Sequence, residues 1–180
     1  MKILIAYAST EGQTQKIARF CADFLVDQGH AVELVPASDA KGIDLDRFDA
    51  ALLAGSVHAG KYQKALRNLA SRQREALAGM KVALLSVSLA AAGDDPSDWQ
   101  GLNSGVDRFS ERTGWTPATV MHVAGAFRFS EYDFFKSWAM RWIAAQKQQD
   151  IDPHEDKEYT DWDALRRTVN QWLTEGGKPV

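Results

Sequence analysis

Lys2-Ile3-Leu4-Ile5-Ala6-Tyr7-Ala8-Ser9-Thr10-Glu11-Gly12-Gln13-Thr14 sets an apolar run against a hydroxyl-rich turn just before helical periodicity begins. Lys2 to Tyr7 is too continuously apolar for a half-exposed strand and reads as one buried on both faces. Gln13 to Gln28 reads as a helix with Ile17, Phe20, Cys21, Phe24 and Leu25 on one face and Gly29 as its stop. The same alternation repeats outward. Strands are predicted at Ala31–Val35 (ended by Pro36), Ala50–Ala54 (closed by Gly55), Lys81–Val87 and Thr119–Ala124 (ending at Gly125), with Asp39–Asp49 a polar connection. Helices are predicted at Tyr62–Leu77, with Ala65, Leu66, Leu69 and Ala70 inward, and at Asp98–Thr113, with Leu102, Val106 and Phe109 inward. Thr160–Thr174 reads as a closing helix, with Thr160-Asp161-Trp162-Asp163 supplying its N-cap and acidic first turn. Strands alternating with helices imply parallel βαβ units, and a doubly wound five-stranded α/β sheet of order 2-1-3-4-5 is the most economical arrangement. No repeat, low-complexity tract or linker divides the chain, so residues 1–180 read as a single domain with 130–158 inserted as a helical or loop segment.

The 180 residues are 45% apolar and 25% charged, the balance of a folded soluble chain rather than a disordered one. A net charge of -3 offers no general attraction to nucleic acid, so no nucleic-acid partner is expected. Cys21 is the only cysteine, which excludes an internal disulfide framework or thiolate metal cluster and points to a reducing compartment. The apolar run Ile3–Ala8 is too short for a secretion signal, and no window reaches the roughly 18 apolar residues of a spanning helix. A cytoplasmic location is expected, with peripheral contact at the inner face of the cell membrane and a homo-oligomer left open.

In an open parallel sheet, ligands bind beyond the carboxyl ends of the strands where the strand order reverses, here between the first and third strands. The loops that matter are therefore Ala8–Thr14, Gly55–Tyr62 and Ser86–Trp99. In the first, hydroxyls at 9, 10 and 14 flank a glycine before a helix, where backbone N–H groups and the helix dipole suit a phosphate monoester. It has no lysine after a second glycine and no GxGxxG, which separates it from triphosphate and dinucleotide loops. An ordinary capped turn is the alternative reading of this segment alone.

The run from Ile3 to Thr14 resembles the opening of flavodoxins, whose hydroxyl-rich loop after the first strand holds the FMN phosphate. Gly55-Ser56-Val57-His58-Ala59-Gly60-Lys61-Tyr62, Ser86-Val87-Ser88-Leu89, Val123-Ala124-Gly125-Ala126-Phe127-Arg128 and Tyr159-Thr160-Asp161-Trp162 together resemble the flavodoxin-type, quinone-linked protoporphyrinogen oxidase family. The resemblance implies a flavodoxin-like fold and FMN, with Ser9, Thr10, Glu11, Gly12, Gln13 and Thr14 forming the loop around its phosphate. It implies Ser56, Val57, His58, Ala59 and Gly60 on one side of the isoalloxazine and Ser86, Val87, Ser88, Leu89 and Ala90 on the other. Gly60 suits that position because a flavin edge needs close backbone approach, and an N–H there is one of the protein's few levers on flavin potential. Typical flavodoxins sandwich the ring between a Trp and a Tyr, whereas this chain offers His58 and Ala59 in the first loop and no aromatic from Ser86 to Ser97, which leaves one ring face free for an organic substrate.

The implied reaction takes hydrogen from protoporphyrinogen IX or a similar organic donor and passes electrons to a quinone. The alternative is an electron carrier serving a protein redox partner. His58 is the candidate proton or hydrogen-bond donor in the flavin loop. Residues 94–98 are acidic where family members often carry basic groups, so Arg128 is left as the candidate partner for a substrate anion. Tyr132, Phe135, Trp138, Ala139, Trp142 and Ile143 recur at helical spacing within 130–149, which reads as a core or dimer-forming helix or as a peripheral membrane contact. His30, His122 and His154 lie at no metal-ligand spacing, so no metal site is expected, and Cys21 reads as a small buried hydrophobe.

Overall fold

Each buried strand is apolar on both of its faces, so the sheet must be covered twice. The computed structural model describes residues 1–58, 60–127 and 157–175. In chain order its elements are β1 (Lys2–Ala8), α1 (Gln13–Asp27), β2 (Ala31–Pro36), β3 (Ala50–His58), β4 (Lys61–Tyr62), α2 (Lys64–Arg72) and α3 (Arg74–Gly79). They continue with β5 (Lys81–Ser88), α4 (Pro96–Thr113), β6 (Thr119–Ala124), β7 (Ala126–Phe127), β8 (Lys157–Glu158) and α5 (Trp162–Thr174). Five parallel strands run in the order β2-β1-β3-β5-β6, the flavodoxin-like 2-1-3-4-5 arrangement.

Alternate residues of the strands feed two cores. Ile3, Ile5, Leu52, Leu85 and Val87 pack with Ile17, Cys21 and Leu25 of α1 and with Leu165, Val169 and Trp172 of α5. Leu4, Ala6, Leu53 and Leu84 face the other way, onto Leu66 and Leu69 of α2, Leu77 of α3, and Phe109 of α4. Cys21 is buried, and that burial pushes its thiol up to about 12, which makes it an inert packing group. No helix among the described residues is long and apolar enough to cross a membrane.

Most boundaries shift by a residue or two, α4 for instance starting at Pro96 rather than Asp98, and three of the differences have a visible cause. The third strand does not close at Gly55 but continues to His58, because Val57 and His58 pair antiparallel with Tyr62 and Lys61 in a hairpin. Gly55 stands there for α2: a Cβ would sit 2.5 Å from Leu66 Cδ2. The helix expected over Tyr62–Leu77 loses its first residue to β4 and breaks at Gln73 (φ -105°, ψ 13°), whose Nε2 donates to the Ile43 carbonyl at 2.8 Å. The closing helix α5 starts at Trp162 rather than Thr160, and within the predicted capping stretch Asp161 is the cap, accepting from the Ala164 N–H at 2.8 Å. The aromatic segment 130–149, Arg128, Ala59 and His154 lie outside the described residues.

Candidate functional site

Beyond the carboxyl end of β1 the chain turns into α1 through Gly12, which holds φ +86° as the helix's N-cap residue. The Gly12 N–H donates to Ser9 Oγ at 2.9 Å, folding the hydroxyl loop back on itself. No side chain caps α1 and its first turn has no carboxylate, whereas Asp95 and Asp161 cap α4 and α5. The first-turn N–H groups of a fifteen-residue helix are thus left to an outside acceptor, and the helix dipole favours an anionic one.

Gln13 and Thr14 are both buried at this start. The Gln13 side chain turns away from the loop: its Nε2 donates to Thr160 Oγ1 at 3.0 Å and to Glu158 Oε2 at 3.1 Å. Thr160 Oγ1 in turn donates to the Ala124 carbonyl at 2.7 Å, and the Tyr159 N–H donates to the Gly125 carbonyl at 3.0 Å. Glu158 also accepts from Lys16 Nζ at 2.6 Å and from Trp162 Nε1 at 2.9 Å. Burial would raise the Glu158 carboxyl, but the donors Lys16, Gln13 and Trp162 outweigh it and hold the pKa below the ordinary value. Residues 158–160 therefore strap the end of β6 to the start of α1.

Across the switch point, Glu11 Oε1 lies 3.3 Å from His58 Nε2, which is also 3.2 Å from Ser56 Oγ. Gln63, just before α2, donates its Nε2 to Ser56 Oγ and to Thr10 Oγ1, the latter at 3.3 Å. Polar side chains from both loops thus form one hydrogen-bonded cluster. Gln63 Oε1 is buried there without a partner among the described residues, an acceptor that a hydroxyl- or N–H-bearing ligand would satisfy. Burial lowers the His58 pKa, so the imidazole is neutral at physiological pH. At the hairpin tip Gly60 has φ +69°, a conformation that glycine adopts without strain.

The third predicted loop divides. Ser86 and Val87 lie within β5 at 0% and 3% exposure, so their side chains are core groups rather than cofactor contacts. Ser86 Oγ accepts from the Tyr62 hydroxyl at 2.9 Å, and burial pushes that phenol up to about 12 despite the bond. Ser88, Leu89 and Ala90 reach the edge, with Ser88 Oγ accepting from the Ala91 N–H at 3.3 Å. The acidic run has a structural use: Asp95 accepts from the Ser97 N–H and hydroxyl at 2.8 and 2.7 Å, starting α4. Trp99 Nε1 donates to the Gly93 carbonyl at 2.9 Å, and its ring meets His122 edge-on at 5.6 Å. His122 is thus placed beside this loop, and burial lowers its pKa.

Ser9, Thr10, Glu11, Gly12, Ser56, His58 and Gly60 are brought to one edge, with Ser88 to Ala90 as a third wall. Gln63 and Thr160 were not singled out from the sequence. The available signals were a polar residue directly after Tyr62 at a helix start, and a hydroxyl inside the Tyr159–Trp162 motif. An uncapped α1 start, a hydroxyl loop without lysine and an orphaned buried amide oxygen suit a ligand that carries an anionic group, such as a phosphate ester, together with a hydrogen-bond donor.

Comparison with known proteins gives three findings. The family described as Flavodoxin domain matches residues 4–154. Protoporphyrinogen IX dehydrogenase [quinone] of Escherichia coli K12 is 25% identical over 180 residues, covering 100% of this chain and 99% of that protein. The protein of the same name from Leishmania major is 28% identical over 172 residues, covering 95% of this chain and 74% of that one. Among solved structures, oxidised flavodoxin 1 from Bacillus cereus superposes with a TM-score of 0.56 at 11% identity, over 98% of this chain and 100% of that one.

Proposed function

Since the chain belongs to the flavodoxin domain family, we propose that it is an FMN-dependent oxidoreductase that oxidises protoporphyrinogen IX or a similar planar organic donor and passes the electrons to a quinone. The observation that carries the substrate is the full-length similarity to two proteins bearing that activity in their names, at 25% and 28% identity. The uncapped start of α1 supports the cofactor. FMN, when bound, would supply the hydride and electron chemistry.

What the chain supplies is position and environment. In this reading the first-turn N–H groups of α1 and the Thr10 and Thr14 hydroxyls hold the phosphate. The Gln63 carbonyl oxygen accepts from a ligand donor, and the Gly60 backbone borders the ring. His58 is neutral and tied to Glu11 and Ser56, so its role is to orient the Glu11–Ser56–Gln63 cluster or donate one hydrogen bond, rather than to carry a positive charge. The donor would reach the ring on the side left without an aromatic cover, and the quinone would be reduced at the same edge.

The test is the absorbance spectrum of the purified protein, identification of any flavin released by acid, and protoporphyrinogen turnover with a soluble quinone. Bound FMN with turnover is expected. A protein that fails to take up FMN in excess refutes the reading, and one that binds FMN without turning over the donor is an electron carrier instead.

A further inference from the structure

Arg128 was the cation that the sequence offered to a substrate anion, but the fold gathers four others. Beside the β3–β4 hairpin, Lys61, Arg67, Arg108 and Arg112 line a shallow, open pocket together with Gly60 and Gly105. Arg108 and Arg112 are one turn apart on α4 and share a face, Arg67 comes from α2, and Lys61 comes from β4. Arg108 Nη2 donates to the Gly60 carbonyl at 3.4 Å, and the Arg67 Nε–H is buried without an acceptor among the described residues. None of the four ion-pairs with a carboxylate among the described residues, although acidic side chains outnumber basic ones in the chain, 24 to 21.

Four like charges converging on one pocket repel one another unless a counter-charge enters it. The guanidinium fork matches a carboxylate bidentately, and a buried Nε–H lacking an acceptor is a donor waiting for one. Gly60 joins the pocket to the site: a Cβ there would collide with Arg108 Nη2, so the missing side chain lets the guanidinium lie against the hairpin tip.

We propose that Lys61, Arg67, Arg108 and Arg112 form the subsite that grips the carboxylate arms of a planar polycarboxylate donor and so holds its ring against the Gly60 edge. This assignment rests on the donor reading above. It gives the protein a way to select acids over neutral planar molecules of the same shape.

The test titrates the full-length, FMN-loaded protein with protoporphyrin IX, a stable diacid, and with its dimethyl ester, following porphyrin fluorescence in dilute detergent. Wild type is expected to prefer the diacid by about tenfold or more, since one charged hydrogen bond is worth that factor. Arg108→Glu/Arg112→Glu is expected to abolish the preference, and Arg108→Lys/Arg112→Lys to keep part of it. FMN content and Tm should hold in all variants, because both arginines are exposed. Equal binding of diacid and ester by wild type, or a preference that survives charge reversal, overturns the proposal. So does capture of polyglutamate in place of the diacid, which would make the pocket a protein-docking surface. If discrimination fails in a protein that still holds FMN and turns over, only this subsite falls. If a protein unable to bind FMN still discriminates, the oxidoreductase reading falls and the subsite stands.

Discussion

Replacing Gly12 with alanine isolates what the left-handed turn before α1 does for the proposed cofactor, and Gly42 supplies the control. The two glycines have nearly the same backbone angle, φ +86° and φ +81°, and a Cβ at either would meet nothing within 4 Å. The cost of alanine at each is therefore backbone strain alone, about 1–2 kcal/mol for an L-residue held in that region. Reduced freedom of the unfolded chain offsets about 0.4–1 kcal/mol of this. Both variants should lose roughly 1 kcal/mol or less without cofactor, a Tm decrease of about 2–4 °C at this chain length. Only Gly12 adjoins the proposed phosphate site. If alanine re-aims the turn so that one N–H to the phosphate is lost, about 1.5–3 kcal/mol goes with it, a ten- to hundredfold rise in Kd. Fluorescence-quenching titration of FMN into cofactor-free protein measures that Kd directly. Thermal unfolding with saturating FMN gives a second reading, since a ligand raises Tm according to its affinity for the folded state. Gly42→Ala should regain stability with FMN as wild type does, and Gly12→Ala should regain far less. If the two variants bind FMN equally well, the α1 start is an ordinary turn and the phosphate assignment is wrong.

Two further perturbations probe the frame beneath the site. Tyr62→Phe strands the fully buried Ser86 hydroxyl and should cost about 1–3 kcal/mol in urea unfolding. Tyr62→Phe/Ser86→Ala should recover much of that loss, whereas additive losses would show that the bond does not couple β4 to β5. The pH dependence follows from His58 and His122, whose folded pKa values burial lowers below 6.5. The unfolded chain binds more protons between the folded value and 6.5, so their contribution is complete above 6.5 and is lost as pH falls through the lowered folded value. Tm should accordingly fall on acidification below neutrality, and His58→Gln/His122→Gln should flatten that slope; an unchanged slope in the double variant would remove both histidines as its cause.

The fold was readable because its signals are local. Five apolar runs, each followed by helical periodicity, specify a parallel sheet wound on both faces, and the observed order is the one the alternation implies. The misread end of β3 and the break between α2 and α3 depend on contacts that a linear pattern does not contain. Gly55 looks like a strand stop because glycine usually weakens strands, yet it is there so that Leu66 can press on the sheet. The break at Gln73 carries no Gly or Pro, and its side chain reaches a carbonyl thirty residues back.

The candidate site shows the same division more sharply. The loop from Ser9 to Gly12 was legible because one turn before one helix contains all of its chemistry. Ser86 was misassigned because a serine at a strand's carboxyl end looks the same whether it faces a ligand or, as here, a buried tyrosine from another strand. Gln13 was placed in the right loop, but its side chain serves Thr160, 147 residues away. The four cations were invisible for the same reason: 108 and 112 share a helix face by spacing, but nothing local says that Arg67 and Lys61 meet them. A cofactor held by backbone N–H groups leaves a short signature in glycines and hydroxyls, whereas a donor held by side chains from three elements leaves none. The proposed phosphate site is therefore the part that the sequence spells out locally, and the proposed donor subsite is the part that the diacid and ester titration must decide.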